Sequence, residues 1–448
     1  MVDKRRTYMR KYALVALLAL ICVTVNAWAG TENVLWNFIS APKGFNSASS
    51  VISDAAGNLY GTTQLGGLHG FGTVFKLTPQ TDGRWTETVV YSFPGGGSGN
   101  SPVAGLVMDA AGNLYGTTSY GGSLQGNCQS GGCGTVFELM PLADGSWEYK
   151  RLHAFQFDDG STPESHLVFD PSGNLFGTTL GGGYFSSGTV FELSPGAKGE
   201  WKEAVLWSFQ QAGEPRAGLI FDGDGNLYGT TTEGPNGADS GTVFKLSPGA
   251  GGKWTETVLY NFCGQSHCAD GAFPVSGLIF DQAGNLYGTT AAGGTSKGGG
   301  DGVVFELAPG AGGSWRERVL FTFHGGKEGW APFGGVVFDT AGNLYGTTIW
   351  GGDGGSACQQ DGFGCGTVFE LTPTSDGWTE SIVHAFRAGG DGDGPIASLI
   401  IDEAEISTEQ PRLPGSRPAS TVAGRCLSSA LLRAAGAKRC TIFGPPME

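Results

Sequence analysis

A seven-residue motif, GNLYGTT or GNLFGTT, begins at Gly57, Gly112, Gly173, Gly225, Gly284 and Gly342. Successive copies are 55, 61, 52, 59 and 58 residues apart. A period of that length belongs to stacked supersecondary units, not to one irregular core. The consensus unit reads GLIFDQAGNLYGTT, a glycine-rich loop, GTVFELAP, a short turn, WTETVLYSF and a second loop ending at proline. Its apolar and β-branched residues fall in four short runs bounded by Gly, Pro, Asn or Asp, and none has helical period.

These runs are designated strands a to d, for instance Gly277 to Asp281, Asn285 to Thr290, Val303 to Ala308 and Trp315 to Phe323. The DxxGN segment between a and b predicts a turn in which Asp binds its own backbone and Gly supplies positive φ. Four antiparallel strands per unit, repeated without helices, predict an all-β propeller built of four-stranded blades. The glycine inside strand b (Gly61, Gly116, Gly177, Gly229, Gly288, Gly346) predicts a crowded contact between sheets.

Six units are complete, but a lone d-like run, Glu32 to Phe38, precedes the first. A lone a-like run, Ile396 to Asp402, follows the sixth. Joined as one blade they imply seven blades by design, of which six are complete; six closed blades with two spare strands is the alternative. Where the seventh GNLYGTT is due, the chain reads AEISTEQP, Ala404 to Pro411. Removing one nucleotide from codons for AGNLYGTT gives that octapeptide. Codons for AGRCLSSAL, Ala423 to Leu431, encode GTVFELSP in the other frame. Residues 405–448 are therefore read as out-of-frame translation of the seventh blade, disordered or non-native. The seventh inner strand is expected to lack its neighbours.

Residues 1–29 read as a signal peptide: Lys4, Arg5, Arg6, Arg10 and Lys11, an apolar run from Tyr12 to Val25, then Ala27-Trp28-Ala29. Export to the periplasm, cell surface or medium is expected, with the repeat domain at 30–404. Between Gly30 and Ala404 there are 15 Lys plus Arg against 37 Asp plus Glu. That acidity disfavours phosphate backbones, so no nucleic-acid partner is expected. No transmembrane span is expected in the mature chain, which is read as a monomer.

Three close cysteine pairs, Cys128/Cys133, Cys263/Cys268 and Cys358/Cys365, suit loop-stapling disulfides in an exported protein. Zinc needs about four ligands, and only His267 stands beside a pair, so no metal and no cofactor are assigned. The recurring acids Asp54, Asp109, Asp170, Asp222, Asp281, Asp339 and Asp402 lack the remaining oxygens of a calcium loop and are assigned to turns.

In a propeller the b–c and d–a loops share one face. They vary in length and carry every cysteine pair, which makes that face the expected binding surface. Tyr120, Tyr184, Phe185, Trp330 and Trp350 lie in these loops, where flat rings stack on sugars and protein surfaces. Glu164 and His166, in TPESHLVFD, are placed near the channel mouth. His153 and His384 replace aromatic residues of strand d and are read as structural. No catalytic residue is assigned.

At DxAGNLYGTTxxGG, GTVFxLxP and WTETVLYSF the chain resembles the GloVer tandem-repeat group of exported bacterial proteins, over residues 32 to 402. That resemblance implies a propeller of unassigned function. FDxxGNLY is also similar to NHL and lactonase-type repeats, which implies a metal-dependent hydrolase with acids at the channel mouth. Here those strands open PVAG, PRAG, PVSG and PFGG, and Glu164 is the single acid immediately after the proline. The expectation is an exported scaffold that binds a saccharide, an envelope component or a protein. The alternative is a calcium-dependent lactonase or esterase.

Overall fold

A computed structural model describes residues 31–402, apart from breaks at 33, 39–41, 126, 129–130, 211–212, 238, 295–300, 354–357, 359–362 and 389–391. It also describes segments 427–433 and 439–443. The segment read as a signal peptide and most of the tail after Ala404 lie outside the described residues.

The six repeats form six four-stranded antiparallel sheets, each in the order a-b-c-d. Blade one comprises Ile52–Ser53, Leu59–Thr63, Thr73–Pro79 and Trp85–Ser92. Blade five comprises Ile279–Phe280, Leu286–Thr290, Val303–Pro309 and Trp315–Thr322. The chain is an all-β propeller, and its six regular blades are the number of the six-bladed alternative.

Each part of the repeat has a physical task. In the DxxGN turn of blade four, Asp222 accepts hydrogen bonds from the Asp224 and Asn226 amides, both at 2.9 Å. Its other oxygen accepts from Asn226 Nδ2 at 2.7 Å and from the Tyr228 hydroxyl at 2.9 Å. The turn role read from the sequence is present, and the Tyr of GNLY is a partner that the motif alone did not reveal. Gly225 closes the turn at φ 81°, where a β-carbon would be strained.

The strand-b glycine is explained differently from expectation. Gly229 stands opposite Phe244 of its own blade. A β-carbon there would lie 2.7 Å from Phe244 Cζ and 2.9 Å from Leu219 Cδ2. The crowding is within a blade, where a phenyl ring covers the glycine, not between sheets.

Between blades the contact is aromatic and hydroxylic. The Phe ending strand d packs on the strand-c Phe of the next blade: Phe93–Phe137 at 5.2 Å, Phe209–Phe244 at 5.1 Å and Phe262–Phe305 at 4.9 Å. All of these rings are fully buried. The first Thr of GTT donates to a carbonyl in the next blade's inner segment, as Thr62 to Ala104 at 3.0 Å and Thr289 to Gly334 at 3.1 Å.

The same contacts define a seventh position. Thr347 of blade six donates to Ala397 at 3.2 Å, and Ser50 of blade one donates to Ser398 at 3.1 Å. Phe38 packs on Phe75 of blade one at 4.5 Å, while Val34 belongs to the core of blade six. Both spare segments therefore sit between blades six and one.

Among the described residues that position holds no regular blade. Residues 34–38 are without strand pairing, and of the expected d-like run only Glu32, in the short strand Thr31–Glu32, is strand among the described residues. Ile400–Asp402 is not left unpaired, as had been expected. It pairs in parallel with Leu427–Arg433, which pairs antiparallel with Arg439–Phe443, which pairs in parallel with Thr31–Glu32. An exposed inner edge accepts whatever extended chain reaches it. The parallel pairs mark this sheet off from the six blades, which are antiparallel throughout.

Candidate functional site

The b–c and d–a loops meet on one face through short bridges: Phe45 with Leu65, Asn100 with Tyr120, Ser161 with Gly181, Ala272 with Ala292 and Trp330 with Trp350. The bridge lifts one residue from each loop side by side, so the residue types there decide what the face presents. In blade six both are tryptophan.

Trp330 and Trp350 have ring centroids 6.0 Å apart and tilted by 32°. Phe363 stands 6.0 Å from the first and 5.6 Å from the second. Mutual packing leaves the two indoles half-buried, while Phe363 stays half exposed. Phe363 was missed from the sequence. The available signal was a ring between two glycines inside a cysteine-closed loop, and the Cys358–Cys365 disulfide forms as expected. The other two disulfides, Cys128–Cys133 and Cys263–Cys268, also form.

Polar groups border these rings. A β-carbon on Gly325 would lie 3.1 Å from Asp301 Oδ2 and 3.9 Å from Trp330 Cδ1, so Gly325 stands between that carboxylate and the indole. Burial pushes the Asp301 pKa up, and the charge of His324 opposes the shift. Lys327 Nζ lies 3.3 Å from Asp353 Oδ2, joining the same two loops. None of Asp301, His324 or Phe363 had been singled out as a binding residue.

The remaining loop aromatics are scattered. Tyr184 and Phe185 meet edge-on at 4.7 Å in blade three, with Tyr184 84% exposed. Tyr120 stands in blade two, exposed. Among the described residues no ring contact joins these to the blade-six cluster.

The channel holds His166. Its ring lies so close over Gly218 that a β-carbon there would be 2.2 Å from His166 Cε1. The imidazole is reached by channel solvent but enclosed by protein, and desolvation lowers its pKa. Glu164, expected beside it, is turned to Arg216 Nη1 at 3.5 Å, and Arg216 also approaches Glu214 at 3.8 Å. Burial raises the Glu164 pKa, and Arg216 opposes that.

A second set of polar groups lies in the seams between blades. In every blade one extra residue bulges from strand d just before the Tyr91, His153, Trp207, Tyr260, Phe321 or His384 position. A bulge re-aims the side chain beside it. Here it faces strand d of the next blade: Tyr91 stacks on Tyr149 at 4.6 Å. Three seams gather acids, Asp159 with Glu203, Asp270 with Glu317 and Glu328 with Glu380. Burial first, then the neighbouring acid, pushes Glu203, Glu317 and Glu380 up to about 7. His153 is thus a seam residue whose Nε2 lies 3.1 Å from Asp159 Oδ2.

No helix among the described residues is long and apolar enough to cross a membrane. Similar solved folds include a Dyadobacter fermentans protein of unknown function, at 14% identity and TM-score 0.39, covering 79% of this chain and 96% of that one. An ulvan lyase of a new polysaccharide lyase family is 13% identical with TM-score 0.47, covering 82% and 91%. A Xanthomonas campestris gluconolactonase is 17% identical with TM-score 0.32, covering 53% and 67%. At these levels the likenesses bear on neither substrate nor site. Among curated proteins none matches the chain. The Gloeobacter/Verrucomicrobia repeat model matches residues 22–213 and 197–407, and the chain belongs to that repeat family.

Proposed function

We propose that this protein is an exported scaffold that binds a saccharide on its loop face, through Trp330, Trp350 and Phe363. The observation that carries the reading is the gathering of these rings, with centroids 5.6 to 6.0 Å apart, at one bridge between two loops, one of them stapled by Cys358–Cys365. Pyranose rings present apolar C–H faces that stack on indole and phenyl, while their hydroxyls need acceptors and donors at the rim. Asp301 supplies an acceptor and His324 and Lys327 supply donors. The Cys358–Cys365 disulfide restricts the conformational freedom that the loop carrying Phe363 would otherwise lose on binding, which favours affinity.

A hydrolase centred on the channel is less well supported. Glu164, the acid that reading relies on, is engaged by Arg216, and a paired carboxylate is poorly placed to hold calcium.

A glycan array probed with the whole chain tests the proposal, with W350A and D301N as variants. Binding of a sugar class by the native chain, lost in W350A and weakened in D301N, is the expected result. An array with no hit, together with capture of a protein that W350A fails to capture, would replace the saccharide by a protein ligand.

A further inference from the structure

Of the three acid-bearing seams, the one between blades two and three carries a histidine at the bulge position. His153 stands where Tyr260 and Phe321 stand in blades four and five. In the Tyr260 seam the phenol donates to Asp270 Oδ2 at 2.9 Å. Asp270 also accepts from the Gly264 and Gln265 amides at 3.0 and 3.2 Å. Hydrogen bonds alone satisfy that carboxylate.

Asp159 is held differently. Its Oδ1 accepts from the Gln156 amide at 2.8 Å, and its carbonyl accepts from Thr189 Oγ1 at 3.2 Å, so the loop is tied to both blades. Its Oδ2 faces His153 Nε2 at 3.1 Å. Glu203 reaches in from blade three, with Oε1 enclosed and without a hydrogen-bond partner among the described residues. One ligand atom from each of His153, Asp159 and Glu203 lies within 4.8 Å of the others, and all three residues are half-buried.

We propose that His153, Asp159 and Glu203 form a site for a borderline divalent cation of the zinc or cobalt class, clamped between blades two and three. The donor set is one imidazole nitrogen and two carboxylate oxygens, which suits such ions better than calcium, whose ligands are all oxygen. Ligand atoms about 2.0–2.2 Å from a tetrahedral or octahedral ion stand about 2.9–3.5 Å from one another. The His153–Asp159 separation of 3.1 Å falls in that window. The Glu203 ligand atom, within 4.8 Å of the other two, would have to close by about 1 Å to enter the same shell. The partial exposure of the site leaves room for water to complete the shell. Gln156 fixes the orientation of Asp159 from behind, as outer partners of metal ligands do. The cation would neutralise two neighbouring carboxylates and tie strand d of one blade to strand d of the next.

The test is calorimetric titration of the whole chain, stripped with chelator, with Zn2+, and visible absorption on titration with Co2+. One equivalent of each ion is expected, with a cobalt d–d band. H153F, which installs the residue found at the same place in blade five, and E203Q should each weaken zinc binding more than about tenfold, the scale on which even outer partners act. H267A, which removes an exposed histidine remote from the seam, should leave it unchanged. Circular dichroism confirms that the variants are folded; if H153F fails to fold, E203Q decides. No stoichiometric binding, or binding unchanged in H153F or E203Q and lost in H267A, overturns the proposal.

Discussion

Glu317 and Glu380 make the stability of this propeller depend on pH with a sign opposite to that of an ordinary surface carboxylate. Each has a buried oxygen without a hydrogen-bond partner among the described residues, and each is pushed from 4.5 to about 7, first by burial and then by Asp270 or Glu328. Below pH 4.5 the acid is protonated in the folded and unfolded chains alike, and its contribution is fully present. Between 4.5 and 7 the unfolded chain releases a proton that the folded chain retains, so stability falls as pH rises. Above about 7 the loss is complete. At about 1.36 kcal/mol per pH unit, the shift sets a ceiling of roughly 3.4 kcal/mol per group. Partial solvent access screens this to about 1 kcal/mol each. The double variant E317Q/E380Q imitates the protonated acids at every pH, and the two contributions are summed to about 2 kcal/mol. With an unfolding entropy of about 2.1 cal/mol/K per residue over roughly 370 residues, ~2 kcal/mol corresponds to ~2–3 °C. Differential scanning fluorimetry at pH 5 and pH 8.5 should find the double variant matching the native chain at the lower pH and melting ~2–3 °C higher at the upper. Equal melting temperatures at pH 8.5, or a lower one for the variant, would refute the argument.

Other substitutions probe the repeat itself. G229A inserts a methyl 2.7 Å from Phe244 Cζ and should destabilise by about 1–3 kcal/mol, measured by chemical denaturation. D222A removes four hydrogen bonds to one carboxylate and should destabilise by about 2 kcal/mol at pH 7. Burial raises the Asp222 pKa, but the hydrogen bonds from Asn226, Tyr228 and Asp224 together outweigh it and lower it from 3.8, so that difference should shrink as pH falls through the acid range. Restoring the reading frame after Ala404 should supply antiparallel partners for Ile400–Asp402 and raise the melting temperature and solubility. Equal values for the two chains would contradict the seven-blade design, as would a gene sequence in which no single-nucleotide change recovers GNLYGTT.

Legibility in the sequence followed repetition. Strands a to d, the Asx turns and the cysteine staples recur or obey local rules, so alternation, turn chemistry and spacing located them. The meaning of GTT did not follow from any one copy. Its first Thr binds the next blade, and only the closed ring shows that Ser50, Thr347 and Ser398 belong to one junction. The strand-b glycine was assigned to the wrong neighbour because strand register, which sets Gly229 opposite Phe244, is not written in either residue. The blade-six site was half legible. Trp330 and Trp350 stood out as loop aromatics, whereas Asp301 comes from the preceding blade and joins them through propeller geometry alone. His153 looked structural because it replaces an aromatic, and its two carboxylates arrive from a loop and from the next blade.

The most direct test of the account is a binding titration followed by tryptophan fluorescence, using the glycan that scores highest on the array, for the native chain, W350A and Y184A. The rings of blade six are the only three-ring cluster among the loop aromatics of the described residues, whereas Tyr184 stands with Phe185 in blade three. The account predicts saturable quenching by the native chain and by Y184A, with affinity at least about tenfold weaker in W350A, as for an anchor at the centre of an interface. Undiminished affinity in W350A, with loss in Y184A, would contradict it and move the site to blade three.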